Sequence, residues 1–224
     1  MASFRVQFII SMVIATRDDM ALIEAWRGGD NRAGSELFSR YFDELYGFFR
    51  NKVPTGDLAE DLVQQTLLSC VRHRDGFRGD SSFRTYLFTV ARSRLYDLYR
   101  RRGKSEPAAG VSSLIDPGRT PSSLFRSEER RRVLLEALGR LSFDQQLVLE
   151  LHYVRGFTGP QLVQILDVPE GTVRSRLRRA RAALVQHIAG VDAKGVDDDE
   201  VHADLESWAG AVQEAAGLRG RGVL

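Results

Sequence analysis

The chain has 224 residues, 43% of them hydrophobic and 28% charged, with a formal net charge of +2 and one cysteine. That length holds one large or two small domains, and the composition excludes a disordered or collagen-like chain. A lone Cys70 excludes an internal disulfide and points to a reducing compartment, hence the cytoplasm, with the thiol acting as a small buried hydrophobe.

Residues 1–17 carry an apolar run from Val6 to Ala15. A bilayer takes about 20 apolar residues, so no membrane insertion is expected. No small-residue cleavage site follows the run. The expectation is an N-terminal extension without folding value; the alternative is an over-long start, with Met12 or Met20 as the true first residue.

From residue 18 onward helical periodicity dominates, and strand patterns are nearly absent. Leu22 to Trp26 and Ala33 to Phe49 read as amphipathic helices parted by Gly28-Gly29-Asp30. Lys52-Val53-Pro54-Thr55-Gly56 breaks the pattern, and Asp57 to Arg74 resumes it. After the loop Asp75 to Asp80, Ser81 or Ser82 caps a long helix from Phe83 to Arg102. That helix interleaves aromatics with bases: Phe83, Arg84, Tyr86, Phe88, Arg92, Arg94, Tyr96, Tyr99 and Arg100. Unpaired bases stack on rings and phosphates pair with cations, so this suits single-stranded or distorted DNA. A basic amphipathic helix over an ordinary core fits it equally well. Charge is concentrated here, with ten Lys/Arg against three Asp/Glu from Arg72 to Lys104. From Asp192 to Glu206 seven acids face one Lys, an asymmetry common in polyanion binders.

Residues 104–123 turn to Gly, Pro, Ala and Ser, a linker between domains 18–103 and 124–189. In the second block, Ser142 with Gln145 and Thr158 with Gln161 fit the capping box, and Pro169 suits a first helical position. Only Leu166-Asp167-Val168 separates the last two helices, the turn length of a helix-turn-helix. On the final helix Val173, Leu177, Ala180 and Leu184 form one apolar stripe. Five arginines fall between Arg174 and Arg181 on the remaining circumference. A helix seated by one edge with guanidiniums on the other is built for a major groove, whereas a merely solvated basic helix lacks the capped neighbour and tight turn.

In the tail, residues 190–224, Val201, Leu205, Trp208 and Val212 make an apolar stripe at helical spacing, read as a short helix docked on its own domains. Alternatively the acidic run Asp197 to Glu200 shields Arg174 to Arg181. The four histidines are scattered, no metal-ligand pattern or Gly-rich phosphate loop is present, and no nucleophile has a base at hand. Catalysis, metal and cofactor are therefore not expected.

SSFRTYLFTVARSRLYDLYRRR resembles the promoter-melting segment of bacterial sigma factors, and DLAEDLVQQTLLSCVRHRDGFRG the polymerase-binding helix before it. LSFDQQLVLELHYVRGFTGPQLVQILDVPEGTVRSRLRRARAAL resembles the sigma-4 domain that reads the −35 element. Two such parts joined by a short linker are similar to the extracytoplasmic-function (ECF) group of the sigma-70 family. The resemblance implies an all-α fold of two helical domains and a function in promoter-specific initiation with core RNA polymerase. It also implies promoter DNA and an anti-sigma factor as partners. Asp61, Leu62, Gln64, Gln65 and Leu68 match the polymerase-contacting helix. Phe77, Ser81, Ser82, Phe83, Arg84, Tyr86, Arg92 and Arg94 match the −10 surface. Arg174, Ser175, Arg178 and Arg179 match −35 base readers, with Thr172 and Arg176 on phosphates. The chain departs from the family pattern at Gln65 (usually Glu), Tyr86 (commonly Trp), Phe143 (usually Pro) and Gly159-Pro160 (usually acidic). A free-standing helix-turn-helix regulator is the competing reading, though it has no need of the Asp61 to Leu68 helix.

Overall fold

The structure, a computed structural model, describes residues 18–102 and 128–191, together with 203, 205–207, 209 and 210. The described residues are helical, without a strand. The N-terminal extension, the linker, Val201, Trp208, Val212 and the acidic run 197–200 lie outside them.

Four helices build the first domain: α1 (Asp19–Arg27), α2 (Asn31–Arg50), α3 (Gly56–Arg72) and α4 (Phe83–Arg101). Each starts where an acceptor side chain meets orphan backbone N–H groups. Asp18 accepts from the Ala21 amide at 2.7 Å, Asp30 from those of Arg32 and Ala33, Thr55 from Leu58, and Ser82 from Thr85 at 3.1 Å. Of the two serines offered by the sequence, Ser82 is the cap. Leu22, Ile23, Leu37, Leu45, Phe48, Phe49, Leu87 and Phe88 are fully buried where the helices meet. Gly34 lets α1 lie close on α2, since a Cβ there would sit 2.7 Å from Trp26 Cδ1. Arg27 of α1 donates to the carbonyls of Arg74 and Phe77, pinning the loop between α3 and α4.

The second domain comprises α5 (Glu128–Gly139), α6 (Phe143–Leu149), α7 (Gly159–Leu166) and α8 (Glu170–Val191). Ser142 makes the expected capping box with Gln145. At Thr158 only the reciprocal arm is an amide bond: the Thr158 N–H donates to Gln161 Oε1 at 2.8 Å, and its hydroxyl donates to the same oxygen. Buried Gln146 ties α6 to the end of α5 through the carbonyls of Leu138 and Leu141. Between α7 and α8, Asp167 takes the left-handed conformation (φ 52°), which short polar residues tolerate. Pro169 stands one residue ahead of its expected position, as the cap whose carbonyl accepts from Thr172 and Val173.

One feature of this domain has no counterpart in a simple helical period. Past Leu149, α6 widens into a π-helical turn, Glu150–Val154, followed by Arg155, Gly156 (φ +68°) and Phe157. Such widenings re-aim side chains and occur often at functional positions. Here the turn drives Glu150, Arg155 and Phe157 into the first domain, while α4 packs along α7.

Candidate nucleic-acid interface

On α8 the apolar stripe faces inward as its spacing requires: Val173, Ala180 and Leu184 are buried and Leu177 is half-buried. Arg174, Arg178 and Arg179 are exposed on the other side, while Thr172, Ser175 and Arg176 are half-buried along its margins. Side chains along this edge hold one another. Arg174 pairs with Glu170 one turn back. Arg179 donates to Ser175 Oγ at 3.1 Å and to the Ser175 carbonyl at 3.3 Å, and the Ser175 hydroxyl donates to the Thr172 carbonyl. A guanidinium arranged this way offers its remaining N–H groups as a planar fork, the shape that matches guanine edges and phosphates.

The expected −10 surface divides. Ser81 and Arg78 line an open loop, and Ser82 is exposed but its hydroxyl is committed to capping α4. Tyr86 is half-buried, and desolvation raises its pKa. Phe77 and Phe83 correct the sequence reading. Only 5% and 3% exposed, they belong to a ring cluster with Phe38, Tyr41 and Tyr86, with the Phe77 and Phe83 centroids 5.8 Å apart. In this conformation they are the floor under the loop rather than a surface on which bases stack. Arg92 lies over the Tyr96 ring at 4.7 Å, and Arg94 donates to Ser69 Oγ at 3.0 Å. The Nε atoms of both arginines have no hydrogen-bond partner among the described residues.

Arg84 is the most engaged of the set. It chelates Glu44 through Nε (3.1 and 3.2 Å) and Nη2 (2.5 Å), donates to the Arg155 carbonyl at 2.6 Å, and stacks over Phe157 at 4.1 Å. It opens a buried charge network between the domains that the sequence did not reveal. Arg155 donates to the Glu44 carbonyl (3.1 Å) and to Glu150 Oε1 (3.1 and 3.3 Å). Lys52, wholly buried, gives Nζ to Glu150 Oε2 at 2.5 Å and to the Phe48 carbonyl at 2.7 Å. Burial pushes the Lys52 ammonium down to about 8, against the opposing pull of Glu150. Rings close over this network: Phe88 on Phe157 at 5.0 Å, and Phe143 against Tyr96 and Tyr99. At its rim the Tyr96 hydroxyl donates to Asp144 at 2.5 Å, and its own pKa is raised by burial and by that carboxylate.

On α3, Asp61, Gln64, Gln65 and Leu68 are exposed, with Leu68 at 51%. Leu62 is 2% exposed and belongs to the core, because it shares the inward face of the helix with Val63, Thr66 and Cys70. Val71, one turn beyond Leu68 and 40% exposed, extends the apolar patch instead. The sequence held that signal, an apolar residue at i+3. Cys70 is buried beside the patch, its thiol pushed up to about 12 by desolvation. Among the described residues no group of His, Cys, Asp and Glu could hold a metal, and no helix is long and apolar enough to cross a membrane.

Comparison with known proteins finds matches in two separate parts of the chain. The sigma-70 region 2 profile matches residues 37–105, and the sigma-70 region 4 profile residues 131–184. The ECF RNA polymerase sigma-E factors of Escherichia coli and Salmonella typhi are each 31% identical over 176 residues, covering 74% of this chain and 92% of the relative. Among solved structures, CnrH in complex with the cytosolic domain of CnrY is similar at a TM-score of 0.52 and 25% identity, covering 79% of this chain and 98% of that one. RpoE in complex with the anti-sigma factor NepR from Bartonella quintana has the same TM-score at 27% identity, covering 70% of this chain and 97% of that one. With both helical regions present in family order, the chain belongs to the sigma-70 family of RNA polymerase sigma factors, in its ECF group.

Proposed function

We propose that this ECF sigma factor reads the −35 element with the exposed edge of α8. Arg174, Ser175, Arg178 and Arg179 meet base edges, and Thr172 and Arg176 meet phosphates. The observation that carries the reading is the seating of α8: Val173, Ala180 and Leu184 are buried while Arg174, Arg178 and Arg179 face solvent. The −10 strand is engaged by the loop 78–82 and by Tyr86, Arg92 and Arg94 of α4, with Arg84 joining them once the second domain moves away. Core polymerase is met by Asp61, Gln64, Gln65, Leu68 and Val71 of α3. An anti-sigma factor restrains the protein, in keeping with the solved relative RpoE, captured with the anti-sigma factor NepR.

Reconstitution tests this. Added to purified core polymerase, the protein is expected to direct initiation from a set of promoters sharing one −35 sequence. Binding to those promoters without association with polymerase would instead favour a free-standing regulator.

A further inference from the structure

The loop between α3 and α4, proposed above to meet the −10 strand, has few backbone ties of its own. Among the described residues the amides of Arg78, Gly79 and Asp80 donate to no backbone carbonyl, and all three residues are exposed. A segment left so free samples many shapes, and ordering it on DNA costs binding energy. Yet α1 holds this one at two points. Arg27 donates through Nε and Nη2 to the Arg74 carbonyl at 3.1 and 2.9 Å, and through Nη2 to the Phe77 carbonyl. The Met20 methyl lies over Gly79, where a Cβ would come within 3.5 Å of Met20 Cε.

These holds set which way the loop faces. In a trans peptide, as this one is, the carbonyl and the following N–H point in opposite directions. Turning the Phe77 carbonyl toward Arg27 therefore turns the Arg78 N–H away from it. The Phe77 side chain fixes the same peptide from below, its ring 5.8 Å from Phe83 and 5.3 Å from Tyr86. Gly79 (φ +80°) then supplies a bend that a side chain would strain. A brace works only if it is itself fixed, and α1 is. Leu22, Ile23 and Trp26 are each 5% exposed or less, and Asp19 accepts from Arg40 at 2.7 Å and from the Tyr41 hydroxyl. This brace lies ahead of residues 37–105, the part matched by the region 2 profile.

Resting on the −10 role proposed for the loop, we propose that Arg27 is a positioning residue for −10 recognition. Backed by Met20, its guanidinium presets the loop with Arg78 and the Arg78 amide outward, so that an unpaired base meets a shape already formed. Arg27 acts through the loop, its fork being spent on two carbonyls. A lysine in its place carries a point charge without the planar fork and cannot serve both carbonyls in the same way.

The test uses the full chain assembled with core polymerase, on templates with a duplex −35 and a single-stranded −10 that differ by one −10 base at a time. Arg27→Lys and Arg27→Ala should lower the preference for the best base at one −10 position about tenfold, the size of one lost base contact. Preference at −35 and affinity for polymerase should not change. Amide exchange in the free variants should quicken across residues 74–80 and nowhere else in the first domain. Met20→Ala, at an exposed position where the fold is not at stake, should repeat both effects in smaller measure. A −10 preference kept in all three variants, or loop exchange left unchanged, overturns the proposal. So does a loss spread evenly over −10 and −35 positions, the mark of a merely structural role. Absence of any −10 preference in every form, the unaltered protein included, would overturn the role proposed for the loop and this proposal with it.

Discussion

At the residue scale, function separates from support by what each side chain already touches. Arg179 has its Nε and one terminal nitrogen turned to Ser175, which fixes the plane of its fork. Arg179→Ala should cost about 1–3 kcal/mol of base discrimination at one −35 position while polymerase binding is unchanged, as read by competition among promoter variants. Phe77 is the contrary case. Phe77→Ala should cost about 3–4 kcal/mol of stability, seen as a lowered melting temperature. DNA affinity lost at an unchanged melting temperature would return Phe77 to the DNA surface. Lys52 links docking to pH. Its neighbours are Glu150, Arg155 and the Phe48 carbonyl, and its docked pKa is about 8. An exposed lysine titrates near ~10.4. Between those values the undocked chain binds the extra proton. Docking therefore strengthens as pH rises from about 8 toward ~10.4 and is weakest, with no further pH dependence from this group, below 8. Lys52→Met should abolish that slope in a measurement of the interdomain distance.

At the scale of elements, helices and their caps were legible in the sequence because they are local. Ser82 and Ser142 cap within their own turn and the α8 stripe needs only its spacing, while Asp18, Asp30 and Thr55 are caps of the same local kind that the sequence reading did not single out. Leu62 and Phe77 were misplaced because family position identifies a motif without saying which of its members face inward. The network of Glu44, Lys52, Glu150 and Arg155 was invisible for a different reason. Lys52 and Glu150 are 98 residues apart, and Glu150 reaches inward only because α6 widens to a π turn, which no regular period encodes. The turn before α8 is a local device open to test. Asp167 sits at φ 52°, where a Cβ costs about 1–2 kcal/mol unless a short polar side chain eases it. Asp167→Ala should lower the stability of the second domain by about 1 kcal/mol, whereas Asp167→Gly should leave it unchanged or raised. Equal loss in both would mean that the carboxylate, rather than the backbone, matters at this turn.

At the scale of the whole molecule, two sets of charges obey different rules. Arg174, Arg178 and Arg179 lie in solvent, so their attraction to phosphate is screened and counterion release makes it fall steeply with salt. Lys52, Glu150, Arg155 and Glu44 lie out of solvent, where added ions do not reach. Raising salt from about 0.05 to about 0.5 M should therefore lower promoter affinity of the holoenzyme by orders of magnitude, yet leave the interdomain distance of the free protein where it was. The contrast decides what kind of contact joins the domains. If they were held by exposed basic and acidic faces attracting through water, the distance would lengthen over the same range. A network sealed by Phe157, Phe88 and Phe143 should hold until something supplies an alternative seat for the second domain, and under the proposed function core polymerase, meeting the α3 patch, is that partner.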